Sequence, residues 1–170
     1  MMYGYIQIYT GNGKGKTTAA LGLALRAAGA GLKVFIGQFL KKQSSEQEAL
    51  KRFEDLIKIE TYGGPKLIKT PSVEDKKRAE KGFKVCMDNI NSGKYDVVIL
   101  DEINVAIHLG VLNVEQVVAF LKKRLKGVEI ILTGRYAPKE LIEIADLVTE
   151  MREVKHYYHK GIKARKGIEF

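Results

Sequence analysis

The sequence predicts a three-layer α/β protein with a mostly parallel sheet, and two observations carry that prediction. Six short runs rich in Val and Ile, "YIQIYT", "KVFIGQF", "LIKIETY", "DVVILDE", "VEIILTG" and "ADLVTEM", recur with longer helix-forming stretches between them, the alternation that builds βαβ units. The central runs, "VVIL" above all, have no polar alternation, as expected of strands covered by helices on both faces. At 170 residues and 45% hydrophobic content, residues 1–170 suit a single domain able to bury a core. No repeat, low-complexity tract or interdomain linker interrupts it.

Each element has its own local reason. The first strand runs straight into the glycine-rich stretch "TGNGKGKTT", followed by the Ala- and Leu-rich helix former "AALGLALRAAGAG". "YGGPKLIKTPS", residues 62–72, carries two glycines and two prolines and reads as a loop near a ligand. Residues 73–92 place Ala79, Phe83, Cys86, Met87 and Ile90 at helical spacing, a core stripe with Ser72 as N-cap. A further helix spans Val114 to Lys123, with Asn113 as cap and Gln116 in a capping-box position.

Composition narrows the function classes. Lys and Arg number 29 against 20 Asp and Glu, a formal charge of +9, which favours an anionic partner such as a nucleotide, a nucleic acid or another phosphorylated molecule. Part of the excess is in the tail, where Arg152, Lys155, Lys160, Lys163, Arg165 and Lys166 face only Glu153 and Glu169; a solvated lysine-rich surface is the alternative reading. The single cysteine excludes an intramolecular disulfide and a zinc knuckle, as in a reducing compartment. No segment reaches the roughly 18 uncharged residues of a membrane helix, so a soluble, cytoplasmic protein with no membrane partner is expected. His108, His156 and His159 form no familiar metal set with Cys86 or the carboxylates, and no Ser or Cys nucleophile lies in a recognisable catalytic setting.

The chemistry lies in the glycine-rich loop. Consecutive backbone N–H groups in such a turn converge on phosphate oxygens, helped by the dipole of the following helix. In that reading Lys16 places its ammonium between the β- and γ-phosphates and Thr17 ligates Mg²⁺. The pattern GxxxxGK[ST] is incomplete, since Thr10 stands where its first glycine belongs; the glycines are Gly11, Gly13 and Gly15. Lys14 adds a second cation, either a direct triphosphate contact or a solvated loop lysine. "DVVILDEIN" supplies the acidic strand end that such a site needs: one of Asp101 and Glu102 should contact Mg²⁺, since two carboxylates closing an apolar strand call for a cation. "VEIILTGR" repeats the arrangement with Thr133, Gly134 and Arg135. Ligands lie at the carboxyl ends of parallel strands, so Arg135 either reaches the triphosphate or a negatively charged substrate, or faces solvent; Gln38 in "IGQFLKK" has a similar case.

These residues define a protein for Mg²⁺ and a nucleoside triphosphate. The ordered set "YTGNGKGKTTAALGLALRAAGAG", "QFLKK", "VVILDEIN", "ILTGR", "ADLVTEM" and "KHYYHKGIKARKGIEF" goes further: it closely resembles the P-loop ATP:corrinoid (cob(I)alamin) adenosyltransferases from Tyr5 to Phe170. The most specific parts are the GNGKGKTT loop without its first glycine and the closing "GIKARKGIEF". The resemblance implies a P-loop NTPase (RecA-like) fold, usually homodimeric, in which Co(I) of a reduced corrinoid attacks the 5′ carbon of ATP and the whole triphosphate leaves. It implies Lys16, Thr17 and Glu102 as the catalytic residues. The nucleotide-binding set would be Gly11, Asn12, Gly13, Lys14, Gly15, Lys16, Thr17, Thr18 and Arg135. Thr17, Glu102 and Asp101 would serve the metal, Mg²⁺ with Mn²⁺ as an alternative. A reductase or flavoprotein would supply the electron that makes Co(I).

So strong a nucleophile needs no general base, which leaves the protein to position the 5′ carbon and neutralise the departing polyanion. The family binds Co(II) without its lower axial ligand, against aromatic side chains that include a Phe and a Trp in the loop before the middle helix. This chain has no Trp, and Leu67 and Ile68 are the candidates for the apolar wall. Some members also carry an N-terminal extension over the corrinoid, whereas here the first strand begins almost at residue 3. Two alternatives use the same loop. A small-molecule kinase normally shows an arginine-rich lid or a carboxylate base, and neither is evident. A nucleic-acid-binding ATPase is suggested by the charge, but nucleic acid is not the partner expected here.

Overall fold

All six Val/Ile-rich runs form strands of one sheet. In the computed structural model, which describes residues 3–40, 45–64 and 70–169, these are β1 (Ile6–Thr10), β2 (Val34–Phe39), β3 (Ile57–Tyr62), β4 (Val97–Asp101), β5 (Glu129–Thr133) and β6 (Leu147–Glu150). Their order is β3-β2-β4-β5-β1-β6, and every neighbouring pair is parallel. Helices α1 (Lys16–Gly29), α2 (Ser45–Leu50), α3 (Val73–Asn91), α4 (Ile103–His108), α5 (Val114–Lys123) and α6 (Lys139–Ile142) accompany them. The expected three-layer α/β architecture is therefore present.

The two-residue period of the strands sorts the core into two layers. Val34, Ile36, Val97, Ile99 and Ile131 pack with Ala20, Ala24 and Ala28 of α1. Phe35, Val98, Leu100, Ile130 and Leu132 turn to the opposite face and meet Phe83, Cys86 and Ile90 of α3 and Val117 and Leu121 of α5. Both faces of the central strands are thus apolar, which is why their sequences do not alternate. Burial of Cys86 among these side chains pushes its thiol well above the ordinary range, in keeping with its reading as core.

The caps form as expected. Ser72 Oγ accepts from the Asp75 N–H at 3.2 Å while Asp75 Oδ2 accepts from the Ser72 N–H at 2.9 Å, a complete capping box; α3 then runs to Asn91, one residue short of the predicted end. At α5, Asn113 Oδ1 accepts from the Gln116 N–H at 2.9 Å. The predicted loop begins at Gly63, since β3 extends to Tyr62; Leu67 and Ile68 lie outside the described residues. No helix among the described residues is long and apolar enough to cross a membrane.

Candidate nucleotide site

The strand order brings the carboxyl ends of β1, β5 and β4 side by side, and strand parity decides which side chains meet there. Gln38 continues the Val34/Ile36 face, Asp101 the Val97/Ile99 face and Thr133 the Ile131 face, so all three project toward the α1 layer. Gln38 lies opposite Asp101 in the β2/β4 register. All three are fully buried, and hydrogen bonds join them. Asp101 Oδ1 accepts from Thr133 Oγ1 at 2.6 Å and from Thr17 Oγ1 at 2.9 Å, and Oδ2 accepts from Gln38 Nε2 at 3.0 Å. Gln47 of α2 extends the chain, its Nε2 donating to Gln38 Oε1 at 2.6 Å. A buried carboxylate is costly unless it is hydrogen-bonded, and these donors supply that compensation.

Thr133 has a second contact. Its Oγ1 accepts from the Glu102 N–H at 2.9 Å, holding the turn in which Glu102 adopts φ 65° at the start of α4. Among the described residues, the non-glycine positions with positive φ are Leu40, Glu102 and Tyr136. They follow the ends of β2, β4 and β5, and backbone strain of this kind concentrates at functional edges.

The loop between β1 and α1 is held from two directions. From inside, Lys16 Nζ donates to the Gly11 and Gly13 carbonyls, both at 2.7 Å, with the residue only 8% exposed. From the β6 side, Met151 O accepts from the Gly13 N–H at 2.7 Å and the Met151 N–H donates to Thr10 O at 2.8 Å. A Cβ on Gly11 or Gly13 would lie 2.4 or 2.7 Å from Met151 O, so these glycines are required by the chain leaving β6 as well as by any phosphate. Thr10, at the position of the missing glycine, is the last residue of β1, paired with Glu150. Gly15 precedes α1 with φ 116°. Asn12, Lys14 and Thr18 are exposed and Thr17 is half-buried.

Lys14 points to a different partner. Its Nζ donates to Ile168 O at 2.8 Å, Glu169 Oε1 at 3.0 Å and Tyr157 Oη at 3.2 Å. Tyr157 in turn bonds Glu169, and Arg165 donates its N–H to Glu169 Oε2 at 2.7 Å while its guanidinium lies 5.1 Å from the Tyr157 ring centroid. Hydrogen bonds from Arg165 and Tyr157, with Lys14 adding to them, hold the Glu169 carboxyl far below its ordinary range. The bond to Glu169, then that to Tyr157, raises the Lys14 ammonium. This contact between the loop and the closing motif had no signal in residue spacing beyond the charge pattern of the tail.

Arg135 is exposed and outside the buried cluster. Its charge is among those holding the Glu153 carboxyl below its usual range, after the 2.5 Å hydrogen bond from His159. His108 stacks on Tyr136 at 4.2 Å between centroids, and His156 Nδ1 accepts from the Tyr158 N–H. The described residues contain no group of three His, Cys, Asp or Glu side chains able to hold a metal. Oxygen donors at the start of α1 and the end of β4, the Thr17 hydroxyl and the Asp101 and Glu102 carboxylates, do fit a hard divalent cation, which commonly takes one or two protein ligands and completes its shell with phosphate and water.

Comparison with known proteins shows the family of the chain. The family described as ATP:corrinoid adenosyltransferase BtuR/CobO/CobP matches residues 2–170. A corrinoid adenosyltransferase of Pseudomonas aeruginosa is 37% identical over 170 residues, covering 98% of this chain and 84% of the relative. One from a Sinorhizobium species is 38% identical over 172 residues, with coverages of 98% and 80%. One from Escherichia coli K12 is 35% identical over 175 residues, with coverages of 98% and 86%. The chain belongs to the ATP:corrinoid adenosyltransferase family, enzymes that adenosylate corrinoids with ATP as cosubstrate.

Proposed function

We propose that this protein transfers the 5′-deoxyadenosyl group of ATP to Co(I) of a reduced corrinoid and releases intact triphosphate. The observation that carries the reading is a glycine loop with two cations, Lys16 and Lys14, followed by Thr17 hydrogen-bonded to the strand-end Asp101, in a chain of this family. The Co(I) electron pair forms the Co–C5′ bond, the C5′–O bond breaks, and its electron pair departs on the triphosphate oxygen. Cobalt ends formally as Co(III), and no proton moves, so no general base is required.

The loop N–H groups, Lys16 and Lys14 bind the triphosphate and neutralise it as it leaves; Gly11, Asn12, Gly13, Gly15 and Thr18 shape the cradle. Arg135 stands at the same strand edge as a further cation for the nucleotide. Thr17 and Glu102 would hold Mg²⁺, with Asp101 orienting the Thr17 hydroxyl from behind; when bound, the ion supplies additional charge neutralisation at the polyphosphate. A reductase or flavoprotein delivers one electron to Co(II) beforehand, and the enzyme acts in the cytoplasm as a homodimer.

The test mixes the protein anaerobically with Mg-ATP and chemically reduced cob(I)alamin. A light-sensitive alkylcobalamin spectrum with stoichiometric tripolyphosphate is the expected result. ADP and phosphate with an unchanged corrinoid would instead indicate γ-phosphoryl transfer or hydrolysis, and would overturn the reading.

A further inference from the structure

An ammonium has three N–H donors, and all three acceptors around Lys14 belong to the tail: Tyr157 Oη, Ile168 O and Glu169 Oε1. Lys14 therefore cannot add a phosphate oxygen without giving up at least one of them. Glu169 is the charged member of the three, and it is itself gripped by Tyr157 and Arg165, so it stays in place when the lysine leaves. From this exchange, and resting on the reading that the loop holds triphosphate, we propose that Glu169 sets the affinity for ATP by competing with the polyphosphate for Lys14.

The competition has a direction. In the nucleotide-free protein the carboxylate stands in for phosphate; when the polyphosphate enters, Lys14 transfers to it and the tail loses its bonds to the loop. When triphosphate is the leaving group, the same carboxylate recaptures the lysine and assists departure. Both groups are charged throughout the neutral range, since Glu169 is shifted downward and Lys14 upward. The pair is partly exposed, at 43% for Lys14 and 16% for Glu169, so water screens the competition and the effect is moderate.

The experiment is a double-mutant cycle on the full chain, reading equilibrium binding of Mg-ATP and of Mg-tripolyphosphate rather than turnover. E169Q should bind both roughly two- to fivefold more tightly than wild type. K14A should bind both more weakly, and E169Q added to K14A should produce no gain. A gain that persists in the K14A background would mean direct repulsion between Glu169 and phosphate, and would overturn the proposal, as would weaker or unchanged binding by E169Q. Hydrogen–deuterium exchange supplies a second measurement without mutation: Mg-ATP should speed exchange in residues 165–169, and slower exchange there would also overturn it. Failure of wild type to bind either ligand would remove the phosphate reading itself. Binding that behaves as stated without adenosyl transfer would leave the competition standing and the reaction wrong.

Discussion

The two lysines of the loop sit in opposite surroundings. Lys16 is buried, donates to two carbonyls of its own loop, and precedes Thr17, which joins the cluster fixed by strand ends. Lys14, two residues earlier, is 43% exposed and bonds residues more than 140 positions away. The strand-end cluster beside the inner half of the cradle is thus set by sheet register. The outer half is set by a single ion pair and its neighbours, which a polyanion can compete away. A loop that must grip a polyphosphate and then let it go needs both kinds of contact.

The sharpest way to break this comparison is to remove the inner cation. Lys16→Ala should lower kcat/KM for ATP by at least roughly 100-fold, with an unchanged far-ultraviolet circular dichroism spectrum; an effect no larger than that of K14A would make the two halves equivalent. Next in size is Thr133→Val, which leaves the Glu102 N–H without its acceptor and Asp101 without one donor. A cost of about 1–3 kcal/mol in stability is expected, with a higher Mg²⁺ concentration for half-maximal activity. Thr133→Ser, which keeps the hydroxyl, should restore the Mg²⁺ dependence; if both variants share the same metal requirement, the hydroxyl does not orient that edge.

The smallest expected effect is in pH. A carboxyl whose folded-state pKa is depressed contributes its stabilisation above its unfolded value, near 4.3, and loses it as pH falls through the folded value. Glu169 is shifted downward and Lys14 upward, so the difference in ATP affinity between wild type and E169Q should be flat from pH 6 to 8. A slope across that interval, measured by the same binding titrations, would show that another group governs the outer half.

The inner half was legible in the sequence because it obeys short-range rules. The six Val/Ile runs each became a strand, and the glycine-rich loop falls between β1 and α1 as its flanks require. Asp101 and Gln38, read as strand-end residues, meet because parity and register put them on one face. Thr133 ends β5, and its two hydrogen bonds depend on β5 lying next to β4, a neighbour relation that local pattern does not encode. The outer half was less legible for the same reason. Residue spacing alone does not choose between a phosphate contact and a solvated side chain for Lys14, and its tail partners are fixed by chain reversal after β6, beyond the range of any periodicity. The tail's basic excess pointed to an anion, whereas its decisive residue at the loop is acidic.

The route of the chain also gives the site a history. The chain leaving β6 supplies Met151 against the loop, and the contact that occupies Lys14 comes from residues 157, 168 and 169. During synthesis, which proceeds from the N-terminus, the phosphate loop leaves the ribosome well before the groups that brace and restrain it. A nascent chain that has not reached Met151 therefore carries the glycine loop without its brace, and one that stops before Glu169 carries Lys14 without its carboxylate competitor. The nucleotide site is begun with β1 and finished only after the segment that follows β6 has been made.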